Sequence, residues 1–284
     1  NHDGEIPLAN VTRNAVIYSE NTADISRRGH VMFMHSPNVV IDSAGFYGLG
    51  RTDARKAVTD PALDANGNLI PGSDSNTRGR YAVHFHVRTG ADSTKTPALI
   101  QNSAVVDSPK FGIVNHGGNV RIENNVTYDI DGSHIFLENG SEIGVVKENL
   151  MIRARGNEFL WTDPANAKAQ PVKIRDGQES RKDIFDFGFR GHGLWAQGGG
   201  VDVTDNFAVG MADSAYIFFT QSIKEGGKTI YFLVSNLKAG SYKDSLIARN
   251  INTIDVCDVP LNEAFDIVGM RRAGARFQEG VWVR

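Results

Sequence analysis

The sequence predicts a single fold class, an all-β, right-handed parallel β-helix in which short coils stack along one axis. Three observations carry that prediction. Short β-branched runs broken by Gly, Asn and Asp recur along the chain with almost no helical periodicity. Several of these runs end in Asn at intervals in the twenties, the repeat length of a β solenoid in which each coil gives one strand to each long sheet. The 30 glycines among 284 residues favour turns and left-handed backbone positions over long regular elements. A solenoid also suits this length, because it grows by adding coils and not by thickening one core.

The runs, in order, are Val39-Val40-Ile41-Asp42, Leu99-Ile100-Gln101-Asn102, Val120-Arg121-Ile122-Glu123-Asn124, Val145-Val146-Lys147-Glu148-Asn149, Val201-Asp202-Val203-Thr204-Asp205-Asn206 and Leu246-Ile247-Ala248-Arg249-Asn250. Asn102 to Asn124 spans 22 residues and Asn124 to Asn149 spans 25. Asn149 to Asn206 spans 57, which fits two coils or one coil with a long loop, and Asn206 to Asn250 spans 44, close to two coils. A turn asparagine can stack on its neighbours and satisfy local backbone groups. Two polar stretches break the rhythm, about 51–80 and 161–186, and read as excursions that wall a groove along the solenoid. Residues 1–284 are thus expected to form one β-helix domain, read as a piece of a longer chain because no end cap is legible.

Composition sets outer limits. The net charge of −3 argues against a nucleic-acid surface. No apolar run reaches the roughly 18 residues of a transmembrane segment. Cys257 is the single cysteine, so neither an internal disulfide nor a thiolate metal cluster can form, and its strand-like setting suits a small core residue. Asn10-Val11-Thr12 and Asn125-Val126-Thr127 fit the glycosylation pattern, with Asn125 expected to be inaccessible in the turn ladder.

The histidines become informative once the coils are aligned. His35-Ser36-Pro37-Asn38-Val39-Val40-Ile41 matches His116-Gly117-Gly118-Asn119-Val120-Arg121-Ile122 without a gap, which places His35 and His116 at one position. Ile135-Phe136-Leu137-Glu138 adds Glu138 to that column, Leu194-Trp195-Ala196-Gln197 adds Gln197, and Val83-His84-Phe85-His86 adds His86, with His84 two residues back on the same strand face. Strands stacked about 4.8 Å apart, with same-face neighbours about 6.6 Å apart, let such imidazoles converge on one ion. His35, His84, His86 and His116 are therefore the expected ligands of a transition metal (Zn, Cu, Ni or Fe), and Glu138 a further ligand or a base. The competing reading is a packing ladder, since like residues also stack for purely structural reasons. His134 and His192 fall a few positions earlier in their coils and either line the same groove or serve structure. His30 reads as a turn residue.

These blocks carry a family resemblance. Arg28-Gly29-His30-Val31-Met32-Phe33, Gly48-Leu49-Gly50-Arg51-Thr52-Asp53, Gly79 through His86, Asp107 through Val114, Ile122-Glu123-Asn124-Asn125-Val126 and His134 through Glu138 resemble the β-helix segment of G8-domain proteins. That family includes the cell-migration-inducing and transmembrane hyaluronidases and fibrocystin. The resemblance runs from about Asn10 to Gly156 and continues weakly through Asp205 to Gly210. It implies a secreted or cell-surface protein that faces carbohydrate, with a G8 domain ahead of this segment.

The leading expectation is metal-assisted cleavage of an acidic polysaccharide such as a glycosaminoglycan or uronate polymer. Glu138, Asp107 and Asp131 are then the acid/base candidates, and Arg51, Arg80 and Lys110 the groups for substrate carboxylates. Two alternatives stay open. A metal-free lyase would take its base from Lys or Arg. A non-catalytic binding or adhesive module would stack sugar rings on Trp161, Trp195 or Tyr216, although Trp195 shares a column with Phe136 and packing explains it equally well.

Overall fold

The computed structural model describes residues 8–56, 59–87, 89–90, 96–138, 140–156, 191–196, 200–219, 223–225, 228–230, 232–235, 238–249, 254–257, 276–278 and 281–283. The first coil comprises β1 (Ala15–Tyr18), β2 (Val31–Met34) and β3 (Val40–Asp42). The second comprises β4 (Ala44–Tyr47), β5 (Val83–His86) and β6 (Ala98–Gln101). The third comprises β7 (Ala104–Ser108), β8 (Ile113–His116) and β9 (Asn119–Glu123). The fourth comprises β10 (Val126–Ile130), β11 (Ile135–Leu137) and β12 (Ile143–Lys147). The fifth comprises β13 (Leu150–Ala154), β14 (Leu194–Ala196) and β15 (Gly200–Thr204). Beyond it lie β16 (Phe207–Phe219), β17 (Ile223–Glu225), β18 (Lys228–Ile230), β19 (Phe232–Ser235), β20 (Lys238–Arg249), β21 (Ile254–Cys257), β22 (Arg276–Gln278) and β23 (Val281–Val283).

Like strands of successive coils pair in parallel and build three ladders, the architecture of a parallel β-helix. One runs β1-β4-β7-β10-β13-β16, a second β2-β5-β8-β11-β14-β16, and a third β3-β6-β9-β12-β15-β19-β21. The long β16 turns the corner between the first two ladders and joins them into one 12-stranded sheet. Among the described strands, the pairs β17–β18 and β22–β23 are antiparallel. A 3-10 turn at Ile25–Arg27 is the sole helical element among the described residues.

The interior is laid down by register. Ile41, Ile100, Ile122, Val146 and Val203 stack in the third ladder, and Phe46, Val105, Thr127, Met151 and Ala208 in the first. Each strand alternates an inward aliphatic with an outward residue, so the same pairing that makes the sheet also fills the core. At the corner between the third and first ladders runs a buried polar ladder. The side-chain oxygen of Asn206 accepts from the Asn149 backbone, that of Asn149 from the Asn125 backbone, and that of Asn125 from the Ser103 backbone, at 3.0–3.1 Å.

This ladder corrects the alignment read from sequence by one residue in its first members. The stacked positions are Ser103, Asn125, Asn149 and Asn206, whereas Asn102 and Asn124 occupy the preceding position, with Glu148 and Asp205, at φ of 50–57°. Asn125 is buried, in line with the inaccessibility expected of that glycosylation pattern. The run at Leu246–Arg249 differs as well. It lies on β20 against Tyr216–Phe219, in the second ladder and not the third, because β16 and β20 cross a corner without a turn. Asn250 lies outside the described residues.

The chain leaves the coil between β4 and β5, where the described residues of 51–80 form an arm with isolated antiparallel bridges at Thr59–Asn76 and Leu63–Leu69. The second stretch expected to leave the solenoid, 161–186, lies outside the described residues.

Candidate metal centre

Pairing of β5 with β8 sets His86 directly beside His116 and His84 beside Val114. Pairing of β8 with β11 matches Asn115 to Leu137, so Glu138 follows at the level of His116, with its N–H donating to the Asn115 carbonyl at 3.0 Å. His84 thus belongs to an outward ladder of Met32, His84, Val114, Phe136, Trp195 and Ile217, and His86 and His116 to the next one along. The outward face is closed over, because Tyr81 and Phe111 pack on Val114, Phe136, Trp195 and Ile217 as a second apolar cluster. Phe111 stacks on Phe136 at 3.9 Å and Phe136 on Trp195 at 4.7 Å.

Within this wall the three imidazoles converge. Their nearest ligand atoms all lie within 4.8 Å of one another, and the rings of His84 and His116 stand nearly parallel at 5.8 Å with His86 edge-on to both. Donors around one ion in a tetrahedron stand about 3.4 Å apart, so the rings close on an ion by moving about 1.4 Å at most. His84 is 0 % exposed, and its Nδ1 lies 2.8 Å from the Gly79 carbonyl. A carbonyl can only accept, so Nδ1 carries the hydrogen and Nε2 is left with its lone pair. That Nε2 is buried and makes no hydrogen bond. Burial pushes the His84 pKa down to about 3, the Gly79 carbonyl opposes the shift, and the neighbouring His116, His86 and His30 deepen it. The ring is therefore neutral near pH 7, as a metal ligand must be.

Glu138 completes the group. One carboxylate oxygen lies 3.3 Å from His116 Nδ1 and 3.8 Å from His84 Nε2, while the other accepts from the Tyr81 hydroxyl at 3.5 Å. Three imidazoles, one of them backed by a carbonyl, with a carboxylate at their edge, fit a borderline transition metal such as zinc.

His35 stands outside this group. Met34, not His35, pairs with His86, because between positions paired in register the chain from Met34 to Val40 holds one residue more than the chain from His116 to Arg121. His35 is that extra residue, exposed and at φ 54°. A one-residue offset in a strand reverses the face a side chain presents, which removes it from the column. Gln197 lies outside the described residues.

The acid/base candidates divide. Asp107 pairs with Arg28 at 3.0 Å and with Arg155 at 3.2 Å, and Asp131 is bonded by Arg155. Burial raises the Asp131 pKa, opposed by the Arg155 charge. Both aspartates thus belong to an arginine network on the first ladder and its corner, and only Glu138 faces the histidines.

The substrate candidates divide too. Arg51 is exposed and Arg80 half-buried, joined by an Arg51 N–H to Arg80 carbonyl bond of 2.8 Å. Lys110 is buried, with its ammonium 5.1 Å from the Phe111 ring centre. His134 lies in the interior, its Nδ1 2.7 Å from the Thr127 hydroxyl, and Trp195 is 1 % exposed. His134 precedes β11 at the coil corner, where its ring turns inward to Thr127 of the first ladder, and the aromatic stack explains Trp195. Tyr216 is likewise buried and donates to the Asn206 carbonyl at 2.8 Å. Trp161 lies outside the described residues.

Two residues of the site escaped the sequence reading. Tyr81 holds one Glu138 oxygen although it lies 57 residues away in sequence. His30 is no simple turn residue: burial first, and then the charges of Arg51 and Arg80, push its pKa down to about 4, so it sits at the cationic rim beside His84. Aligning Val31–Met34 on Val83–His86 would have placed it there.

A family model described as CEMIP beta-helix matches residues 72–245, which include His84, His86, His116, Glu138 and Tyr81. No curated protein and no solved structure matches the chain.

Proposed function

The chain belongs to the CEMIP β-helix family, and we propose that it is a carbohydrate-active protein that cleaves an acidic polysaccharide, a glycosaminoglycan or uronate polymer, with the help of a transition metal. One observation carries the reading: the buried, hydrogen-bond-free Nε2 of His84, turned by the Gly79 carbonyl toward the His86 and His116 donors. A metal held by His84, His86 and His116 would polarise a sugar oxygen or supply hydroxide from bound water near neutral pH. Glu138 is placed to take or return a proton at its imidazole-facing oxygen, while Tyr81 fixes the other. Arg51 and Arg80, whose charge reaches His30, supply the positive rim that an acidic chain needs. The family supports a secreted or cell-surface setting, and no helix among the described residues is long and apolar enough to cross a membrane. The burial of Trp195 and Tyr216 removes two of the stacking platforms that a pure binding module would use.

The test is elemental analysis of the purified protein and of a His86→Ala/His116→Ala double variant, with glycosaminoglycan and uronate chains sized before and after incubation. The expected result is about one transition metal per chain, lost in the double variant together with chain cleavage. A folded protein that takes up no Zn, Cu, Ni or Fe would sink the metal reading. Cleavage by that metal-free protein would indicate a lyase, and binding without shortened chains an adhesive module.

A further inference from the structure

Glu142 lies outside the histidine group, yet its side chain spans the turns that carry two of the group's members. It is 0 % exposed. One of its oxygens accepts from the Gly117 N–H at 3.2 Å and the other from the Gly140 N–H at 2.7 Å. Gly117 follows His116 directly, and Gly140 comes two residues after Glu138, so one carboxylate grips the ends of β8 and β11 on consecutive coils. Both glycines have left-handed backbones, at φ 73° and 85°, which turn their N–H groups inward.

The corner is stapled at three successive coils, by side chains of different reach. At the turn after His86, the Thr89 hydroxyl, also buried, lies 2.8 Å from both the His86 and Phe33 carbonyls. At the turn after His116, Asn115 accepts from the Gly118 N–H at 2.9 Å and donates to the Gly118 carbonyl at 3.2 Å. Asn115 closes a single turn. Glu142 ties the His116 turn to the Glu138 turn, because each of its two oxygens accepts from a backbone N–H of a different coil.

We infer that Glu142 is a positioning residue that sets the separation between His116 Nδ1 and the Glu138 carboxylate, and through it the closure of the metal site. This rests on the metal reading above. A carboxylate whose two oxygens hold two backbone turns fixes both side chains that leave those turns, as an outer partner fixes a metal ligand. Gln at this position keeps the shape and one acceptor, but sets an NH2 group against a backbone N–H.

The experiment compares zinc affinity, by competition titration, in the wild type, Glu142→Gln and Asn149→Ser, with melting of the metal-free proteins. Asn149 belongs to the buried ladder on the far corner, so its replacement lowers stability without touching the site. Zinc binding weakened roughly 10–100-fold in Glu142→Gln, and at the wild-type level in Asn149→Ser, supports the inference. Equal zinc affinity in folded Glu142→Gln overturns it. If Glu142→Gln does not fold, Glu142→Asp, which keeps the carboxyl group but reaches one turn only, takes its place with the same two outcomes. Should the wild type bind no metal at all, the metal reading fails, and metal-free crystal structures decide the positioning role. An opened His116–Glu138 pair in the variant supports it, and a separation equal to the wild type's overturns it.

Discussion

Two walls of the solenoid are built the same way and end differently. On the first ladder, Asp107, Asp129 and Arg153 stack at equivalent positions, all left-handed at φ 59–61°, and continue the backbone set by Gly48 and Gly210. Arg155 reaches across them to Asp107 at 3.2 Å, Asp129 at 2.9 Å and Asp131, and Arg28 adds a bond to Asp107 at 3.0 Å. Opposite charges answer one another along that wall. On the second ladder, three imidazoles and one carboxylate gather within a few ångströms, and the lone pair of His84 Nε2 points into the group. Stacking alone therefore does not mark a site. A ladder whose members complete one another is scaffold, while one that concentrates lone pairs in a buried wall is a candidate site.

The strongest way to break this comparison is to unbalance the first wall. Arg155→Met removes the cation that joins the three aspartates, leaving Arg28 on Asp107 and Arg153 on Asp129 but taking the ion pair from Asp131. Breaking buried pairs costs several kcal/mol, and the 31 % exposure of the Arg155 side chain discounts that figure to about 3 kcal/mol. A urea midpoint lowered without a change in slope is the expected reading, and Asp131→Asn in the same chain recovers part of the loss. Metal content should not change. If it falls with stability, the two walls act as one unit and the division fails.

Acid sharpens the contrast between a histidine in the wall and one in the core. Burial, with the Arg155 charge in the same direction, holds the His134 pKa down to about 3 against its bonds to Thr127 and the Arg153 backbone. The unfolded chain takes up a proton near pH 6.5 that the folded chain refuses until about pH 3. Stability is therefore full above pH 6.5 and is lost as pH falls through that window, at up to about 1.4 kcal/mol per pH unit for this group. Asp131, raised by burial, works in the opposite direction over the carboxylate range. His134→Asn should flatten the slope between pH 6.5 and 4 by about one proton, read from urea midpoints at several pH values. An unchanged slope would show that His134 is hydrated in the native state.

Much of the scaffold could be read from the chain because a solenoid repeats its rule. The spacing of Val120–Asn124 and Val145–Asn149 gave the coil, and the match of Ile113–His116 to Ile135–Glu138 gave the true neighbours of His116. The reading slipped where a turn changes length. Nothing in Asn102-Ser103 or Asn124-Asn125 says which residue faces inward, since each pair supplies a polar side chain and the decision is made by the left-handed residue before the strand. Trp195 and Lys110 show another limit: they lie on the outer side of the coil, yet Tyr81 and Phe111 pack over that wall and both are buried. His134 sits at a coil corner, where strand alternation does not say which way a side chain turns. Glu142 and Tyr81 act through contacts with other coils, and no local pattern announces them.

The smallest expected effect tests that register directly. His35 occupies the extra turn residue and Met34 the position next to His86. His35→Ala should leave metal content unchanged and stability within about 0.5 kcal/mol, as for an exposed residue away from any cap or network. Met34 is 54 % exposed, so Met34→His sacrifices little packing. It adds an imidazole at the level of His86, one strand spacing away, and should tighten zinc binding in a competition titration. Loss of metal in His35→Ala, with no gain in Met34→His, would return His35 to the column. The turn between β2 and β3 would then be one residue shorter with the third-ladder register from Val40 kept, and the β2–β5 pairing would have to shift by one residue. Because Phe33 stacks on Phe85 in that pairing, such a shift would turn Phe33 outward and strip the first coil of that core contact.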